Sequence, residues 1–350
     1  MPAVSAPDRI DCDVHPPVPT VQQLAPYLTA HWRDYLAETG FRYPSATNYS
    51  YPSTSAVMAR AADAGFEPLC AAVFARSERA VVNCFYGAEG IRHPYLAAAL
   101  CEAVDRWIQA EWLDREPRFL ASIVVPAHDT DTAVKEIRRL RGDRRFVQVL
   151  LAARAWEPYG NHRYWPIWEA AADQGLALGI HFGGLTGHPA TSVGTPETYF
   201  EEYATATQVF ASHVMSLIVE GVFDRYPSLR VCLLESGAAW LPTWLWKLDT
   251  DWKATRREIP WVRRRPMEYA RDHVRLTIQP FDVPARPKLI REWLDQLGSD
   301  EMLLYSSDHP HEHGSDPEAL LSALRPDEHR KVVRDNALSL YQLAATATQM

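Results

Sequence analysis

The chain has 350 residues, 47% of them hydrophobic and 23% charged, and a formal net charge of −8. That acidic balance argues against a nucleic-acid binder, and a chain of this length buries enough apolar surface to fold without covalent or metal staples. Cysteines stand at 12, 70, 84, 101 and 232 with no CxxC pair, which argues against a disulfide framework and a cysteine-ligated structural zinc.

Read from the N-terminus, MPAVSAPDRI has no apolar signal core, and no later run of about 18 apolar residues offers a membrane span. A cytoplasmic protein without a membrane partner is the expectation. Short apolar runs then follow at Arg9–His15, Ala80–Phe85, Phe119–Pro126, Phe146–Ala153, Leu176–Gly183, Leu229–Ser236, Val274–Gln279 and Met302–Ser307. They are aliphatic and lack polar alternation, as strands buried on both faces of a parallel sheet do. Helical periodicity falls between them at Thr130–Leu140, Tyr164–Gln174, Thr207–Phe223, Pro242–Thr255 and Pro287–Leu297, and Glu318–Ala345 reads as closing helices. Eight strands alternating with helices predict an α/β fold, a single (β/α)8 TIM-barrel domain over residues 1–350. No GxGxxG follows the first strand, against a dinucleotide-binding sheet.

Two segments break the alternation. Pro16–Phe74 and Gly184–Tyr203 are inserts after strands 1 and 5, read as lids or pocket walls at the C-terminal end of the barrel. Arg256, Arg257, Arg263, Arg264 and Arg265 form a basic run that reads as a solvated surface segment, with a subunit contact (a homodimer) or attraction of anionic substrates as the functional alternatives. Cys12 and Cys232 lie inside apolar runs and read as small buried hydrophobes.

Three strand ends finish in metal-competent side chains. Strand 1 ends DCDVHP, and residues two apart in a strand face the same way, so Asp13 and His15 are expected to share one ion. Strand 5 ends GIHFGG with His181, and strand 8 ends YSSDHPH with Asp308. Each piece alone is weak. Together at three C-terminal strand ends they form a mixed oxygen and nitrogen set for one divalent cation, zinc first, with Mn2+ or Fe2+ also suited.

These blocks resemble the amidohydrolase superfamily, in the amidohydrolase-related branch that includes aminocarboxymuconate-semialdehyde decarboxylase and the resorcylate-type decarboxylases. The matching stretches are DCDVHPP, NHRYWPIWEAAADQGLALGIHFGG, GVFDRYPSLRVCLLESGAAWLP and YSSDHPHEH. The resemblance implies that Asp13 and His15 take the place of the family's strand-1 pair. His181 matches the strand-5 ligand. Asp308 matches the strand-8 aspartate that binds metal and moves protons. Binuclear members use a carboxylated lysine on strand 4, whereas the lysines here are 135, 247, 253, 288 and 331, so one ion is expected. The family decarboxylases carry a histidine at the end of strand 6 where this chain has Glu235.

Glu235 is therefore expected to be an extra ligand or an acid, or else the partner of an arginine. Arg154, at the end of strand 4, is a candidate for binding a substrate carboxylate, or a salt-bridged residue. His188 in the strand-5 insert reads as an exposed loop histidine, with lining the pocket as the functional alternative. His309 and His311 are placed to orient Asp308, His213 reads as a packed helix residue, and Trp240 and Trp244 as packing against the barrel. The leading expectation is metal-assisted hydrolysis of a small cyclic or aromatic amide, ester or lactone, with Asp308 passing the proton of an activated water. The alternatives are non-oxidative decarboxylation of an aromatic or enolic acid, and a non-catalytic barrel with a structural metal.

Overall fold

A computed structural model describes residues 8–41, 65–84, 87–88, 91–184, 191, 193–194, 196–315 and 317–344. The strands are β1 Arg9–Val14, β2 Ser77–Val82, β3 Phe119–Val124, β4 Phe146–Arg154, β5 Ala177–Gly184, β6 Val231–Leu234, β7 Val274–Thr277 and β8 Leu303–Leu304. They pair in sequence order, every pair parallel. The ring closes beyond β8 through backbone bonds: Cys12 N–H donates to Tyr305 O (2.9 Å), Asp308 N–H to Asp13 O (3.0 Å) and His15 N–H to His309 O (2.8 Å). This is the expected (β/α)8 barrel.

The strand ends differ from expectation where the backbone is diverted. β6 stops at Leu234 because Glu235 turns into the left-handed region (φ 57°). β8 is two residues long because the Tyr305 amide is taken by Val332 O in the C-terminal segment, 2.9 Å away. The long helix after β5 begins earlier than expected, at Tyr199, where Thr198 and Glu201 form a reciprocal capping box. A helix absent from the sequence reading, Pro94–Ile108, lies between β2 and β3 and buries Leu96, Leu100, Val104 and Trp107 at helical spacing. Phe85, the expected end of strand 2, and Ala345 lie outside the described residues. So do residues 42–64 of the first insert and 185–190, 192 and 195 of the second.

The apolar core has two layers. The larger joins the outward faces of the strands to the surrounding helices, with Trp168 and Phe210 fully enclosed. The smaller fills the barrel, where Ile10, Cys12, Leu120 and Cys232 meet Leu340 and Tyr341. The helix Asn336–Leu340 and Tyr341 thus plug the N-terminal end of the barrel, and Gln342 donates to Gly175 O just before β5 (3.4 Å). The opposite end, where the strands finish, is left to the polar side chains. Among the described residues no helix is long and apolar enough to cross a membrane.

Candidate metal centre at the barrel mouth

β1, β5, β6 and β8 converge on one buried cluster at the C-terminal end of the strands. His15 Nε2 lies 3.3 Å from Asp13 Oδ1, 2.9 Å from Asp308 Oδ1 and 3.5 Å from Glu235 Oε1. His181 Nε2 lies 3.3 Å from His15 Nε2, 3.6 Å from Asp13 Oδ1 and 3.4 Å from Glu235 Oε1. His181 Nδ1 donates to Phe182 O at 2.7 Å, so the tautomer presents Nε2 to the cluster. The glycines after His181 serve the turn out of β5. A Cβ on Gly184 (φ 140°) would lie 2.6 Å from that of Arg154 on β4.

Among the described residues, ligand atoms within 4.8 Å of one another form two overlapping groups: Asp13, His15, His181 and Glu235; and His15, Glu235, Asp308 and His311. The expected quartet Asp13, His15, His181 and Asp308 is therefore divided between them, with His15 and Glu235 common to both. Glu235 stands inside the cluster rather than beside an arginine; its paired neighbours are His15, His181 and His311.

The electrostatics of this arrangement suit a cation. Asp13 Oδ2 and Glu235 Oε1 are buried and accept no hydrogen bond, a state that is costly for a carboxylate in a dry site. Burial alone would lower both histidines, yet the carboxylates overcome it. Glu235 and Asp13 lift His181 to about 9, and Asp13 raises His15 well above the ordinary imidazole range. In turn, burial would raise Asp13 and Asp308, but the facing imidazoles hold both far below the usual carboxylate range. A pocket that draws protons onto imidazoles this strongly offers a divalent ion the same negative field with better-matched donors. The residues present thus fit one metal ion.

Asp308 has supports of its own. His311 Nδ1 donates to its Oδ1 (2.9 Å) and His313 Nε2 donates to its Oδ2, while Tyr203 OH donates to His313 Nδ1 (3.0 Å). Asp11 Oδ1 accepts from the amides of Ser307 (2.9 Å) and Asp13 (3.3 Å), tying the start of the mouth to its end. Asn83, just past β2, donates to Asp13 Oδ1 at 2.8 Å. Both Glu235 and Asp308 (φ 55°) occupy left-handed backbone, a strain that side chains other than glycine accept at constrained sites.

Sequence reasoning missed His313, Tyr203, Asn83 and Asp11. Asp11 carried a signal, as a second acid in DCD; His313 followed Asp308 in the same loop. Tyr203 and Asn83 carried none. Arg154 is brought to the rim but its charge is met within the protein: it is buried and pairs with Glu202 of the helix Tyr199–Val219 at 2.9 Å. His188 lies outside the described residues. His309 contributes its backbone to ring closure. His213 is packed as expected, donating to Ala153 O (2.6 Å) and stacked on Tyr159. Trp240 is half-buried and donates to Ser236 O (3.1 Å). In the basic run Arg264 pairs with Asp272 (2.5 Å) and Arg256 lies over Trp252.

Comparison with known proteins gives this geometry a context. Residues 10–343 match the amidohydrolase family profile. A gamma-resorcylate decarboxylase of Polaromonas sp. (strain JS666) is 26% identical over 254 residues, covering 67% of this chain and 74% of the relative. Its counterpart from Rhizobium sp. (strain MTP-10005) is 27% identical over 246 residues, covering 67% and 73%. Among solved structures, an amidohydrolase from Mycobacterium avium subsp. paratuberculosis K-10 aligns with TM-score 0.72 at 19% identity, covering 97% of this chain and 100% of that one. A dihydroxybenzoic acid decarboxylase from Polaromonas sp. JS666, with bound manganese and the inhibitor 2-nitroresorcinol, aligns with TM-score 0.67 at 19% identity, covering 97% and 98%. With its barrel, its strand-end cluster and a profile match along nearly its whole length, this chain belongs to the amidohydrolase family and is an enzyme of that superfamily.

Proposed function

We propose that the protein is a metal-dependent carboxy-lyase that releases carbon dioxide from an aromatic hydroxy acid without an oxidant. The observation that carries this reading is the support of Asp308: a carboxylate beside the cation site, held by His311 and His313, with Tyr203 behind. Such a chain can deliver a proton to a substrate carbon and be restocked from behind. The resemblance to gamma-resorcylate decarboxylases points the same way. The reading replaces hydrolysis as the leading expectation.

Asp13, His15 and His181 would hold the ion, with Glu235 or Asp308 completing the set. That set holds two carboxylates and two imidazoles with a further carboxylate beside it, a mixed oxygen and nitrogen environment that suits a hard ion such as Mn2+ as well as Zn2+. When bound, an ion there would supply positive charge for an anionic substrate. Asp308, ionised at rest, would take a proton from His313 and pass it to the ring carbon bearing the carboxylate. The carbon–carbon bond then breaks, its electron pair returns to the ring, and carbon dioxide leaves. Arg154 is not used here, because Glu202 already holds it.

One observation favours hydrolysis as a second reading. Glu235 places a carboxylate, not an imidazole, at the end of β6 against His15 and His181, and a carboxylate there can accept a proton from water. Carbon dioxide release from 2,6-dihydroxybenzoate and 5-carboxyvanillate, assayed beside a panel of lactones and aryl amides with Mn2+ present, separates the two. Release from a hydroxybenzoate is expected; turnover confined to the lactones or amides would overturn the carboxy-lyase reading.

A further inference from the structure

A chain of buried polar side chains runs through the apolar barrel from the plug at its N-terminal end to Asp13 at its mouth. Tyr341 OH donates to Gln148 Oε1 on β4 (3.1 Å). Gln148 Nε2 donates to Ser122 Oγ on β3 (2.8 Å) and to Asn83 Oδ1 (3.1 Å). Ser122 Oγ donates to the same Asn83 oxygen, and Asn83 Nδ2 donates to Asp13 Oδ1 (2.8 Å) and to Cys12 O (3.4 Å). Asn83, Ser122 and Gln148 are each 0% exposed, and Tyr341 is 5% exposed.

The chain has a direction. A phenol at one end donates to the Gln148 carbonyl, so the Gln148 amine must face Asn83. Two donors then converge on Asn83 Oδ1, which turns its NH2 toward Asp13. The reverse order would press the Asn83 oxygen against the Asp13 carboxylate with no proton between them, an unsatisfied contact in a dry core. The fold also makes room for the chain. β5 carries glycine at 179, where an added Cβ would lie 2.9 Å from Gln148 Cδ and 3.0 Å from its Nε2. Nothing in the backbone of Gly179 requires glycine; the amide crossing it does.

We infer that Asn83 is a positioning residue, oriented through Gln148 and Tyr341, that aims the Asp13 carboxylate at the cation site by holding its Oδ1 and sets how tightly the ion is held. The inference rests on Asp13 being a ligand. It assigns to the C-terminal plug, across the barrel from the chemistry, a part in metal retention. Groups that orient ligands change metal affinity by about 10–100-fold when removed.

The test uses the full chain, stripped of metal and titrated with Mn2+ against a chelator and with Co2+ by visible absorption. Asn83→Ala is expected to weaken Mn2+ binding by about 10–100-fold and to shift the Co2+ bands. Tyr341→Phe and Gly179→Ala, neither of which touches a ligand, are expected to move the Co2+ bands in the same direction with a smaller loss of affinity. The metal-free melting temperature of each variant shows that the barrel has formed; should Asn83→Ala not fold, Tyr341→Phe decides. Unchanged affinity and an unchanged Co2+ spectrum in these variants would overturn the inference alone. An Asp13→Ala variant that binds Mn2+ like the wild type would overturn the ligand reading and the inference together.

Discussion

Two pairs of histidines in this barrel are all buried, and their pKa values shift in opposite directions. His15 and His181 at the mouth are 9% and 3% exposed, and His213 and His273 in the helical layer are each 4% exposed. The mouth pair is raised because Asp13, Glu235 and Asp308 face it. The helical pair is lowered to about 4 because burial acts with only weak opposition: His213 meets a backbone carbonyl and the Tyr159 ring, and His273 meets Leu229 O and the Phe223 ring. Burial alone makes a histidine inert. Carboxylates brought to it at strand ends make a place suited to a cation. Changes at the mouth should therefore alter metal and turnover, and changes in the helical layer should alter stability alone.

The largest effect is expected from His181→Ala. It removes an imidazole that faces Asp13, His15 and Glu235 within 3.6 Å, and metal content should fall from close to one equivalent per chain to near zero. The inner and outer apolar layers do not depend on it, so the metal-free melting temperature should stay close to that of the wild type. Elemental analysis beside calorimetry checks both. A variant that keeps its ion removes His181 from the site; one that fails to fold makes the centre structural.

Asp308→Asn comes next. The amide can still offer an oxygen to an ion but can neither take up nor release a proton near neutral pH. Turnover should fall by about 10³-fold, within the range for a positioned acid or base, with a smaller change in metal content. Near-wild-type rates would exclude Asp308 from proton transfer. Glu235→Gln should lower turnover by about 10²-fold. Glu235→His, which places an imidazole at the end of β6, tells whether this position sets the reaction class. Lost lactone or amide hydrolysis with retained carbon dioxide release would tie Glu235 to hydrolysis, and equal loss of both would make it a ligand common to the two.

Much of this comparison was legible in the sequence, and the boundary has a physical cause. Asp13, His15 and His181 sit on or directly after strands, and the two-residue spacing of Asp13 and His15 brings them together at the mouth even though β1 shifts register between Asp11 and Val14. Glu235 and Asp308 are each placed by a left-handed residue that no periodicity announces, so their neighbours were harder to foresee. Asn83 and Gln148 look like ordinary polar residues until β2, β3 and β4 set them side by side. Tyr203 meets His313 only because the helix after β5 folds back over the β8 loop. The expectation for Arg154 missed Glu202, its partner, for the same reason: the two are joined by packing between elements. The helix Pro94–Ile108 carried its signal in the sequence, with Leu96, Leu100, Val104 and Trp107 at helical spacing.

The smallest effect tests the inert side of the comparison. His213 has a folded value of about 4 against an ordinary 6.5. Between those values the unfolded chain binds the proton that the folded chain refuses. Stability attributable to this group is therefore complete above pH 6.5, declines as the pH falls, and is fully lost below about pH 4. Lowering the pH from 6.5 to 5 should cost about 2 kcal/mol for one such histidine. His213→Gln keeps one donor and one acceptor for Ala153 O and the Tyr159 amide but cannot titrate. It should be less stable at neutral pH, having lost the stacked ring, yet its unfolding free energy should fall less steeply over that window. His273 would account for slope that remains, since its value is depressed in the same way. Denaturant unfolding of metal-free wild type and variant at several pH values measures the two slopes. Parallel slopes would mean that His213 is protonated without penalty in the folded chain, and the distinction between the two pairs of histidines would then have to rest on hydrogen bonding rather than on charge.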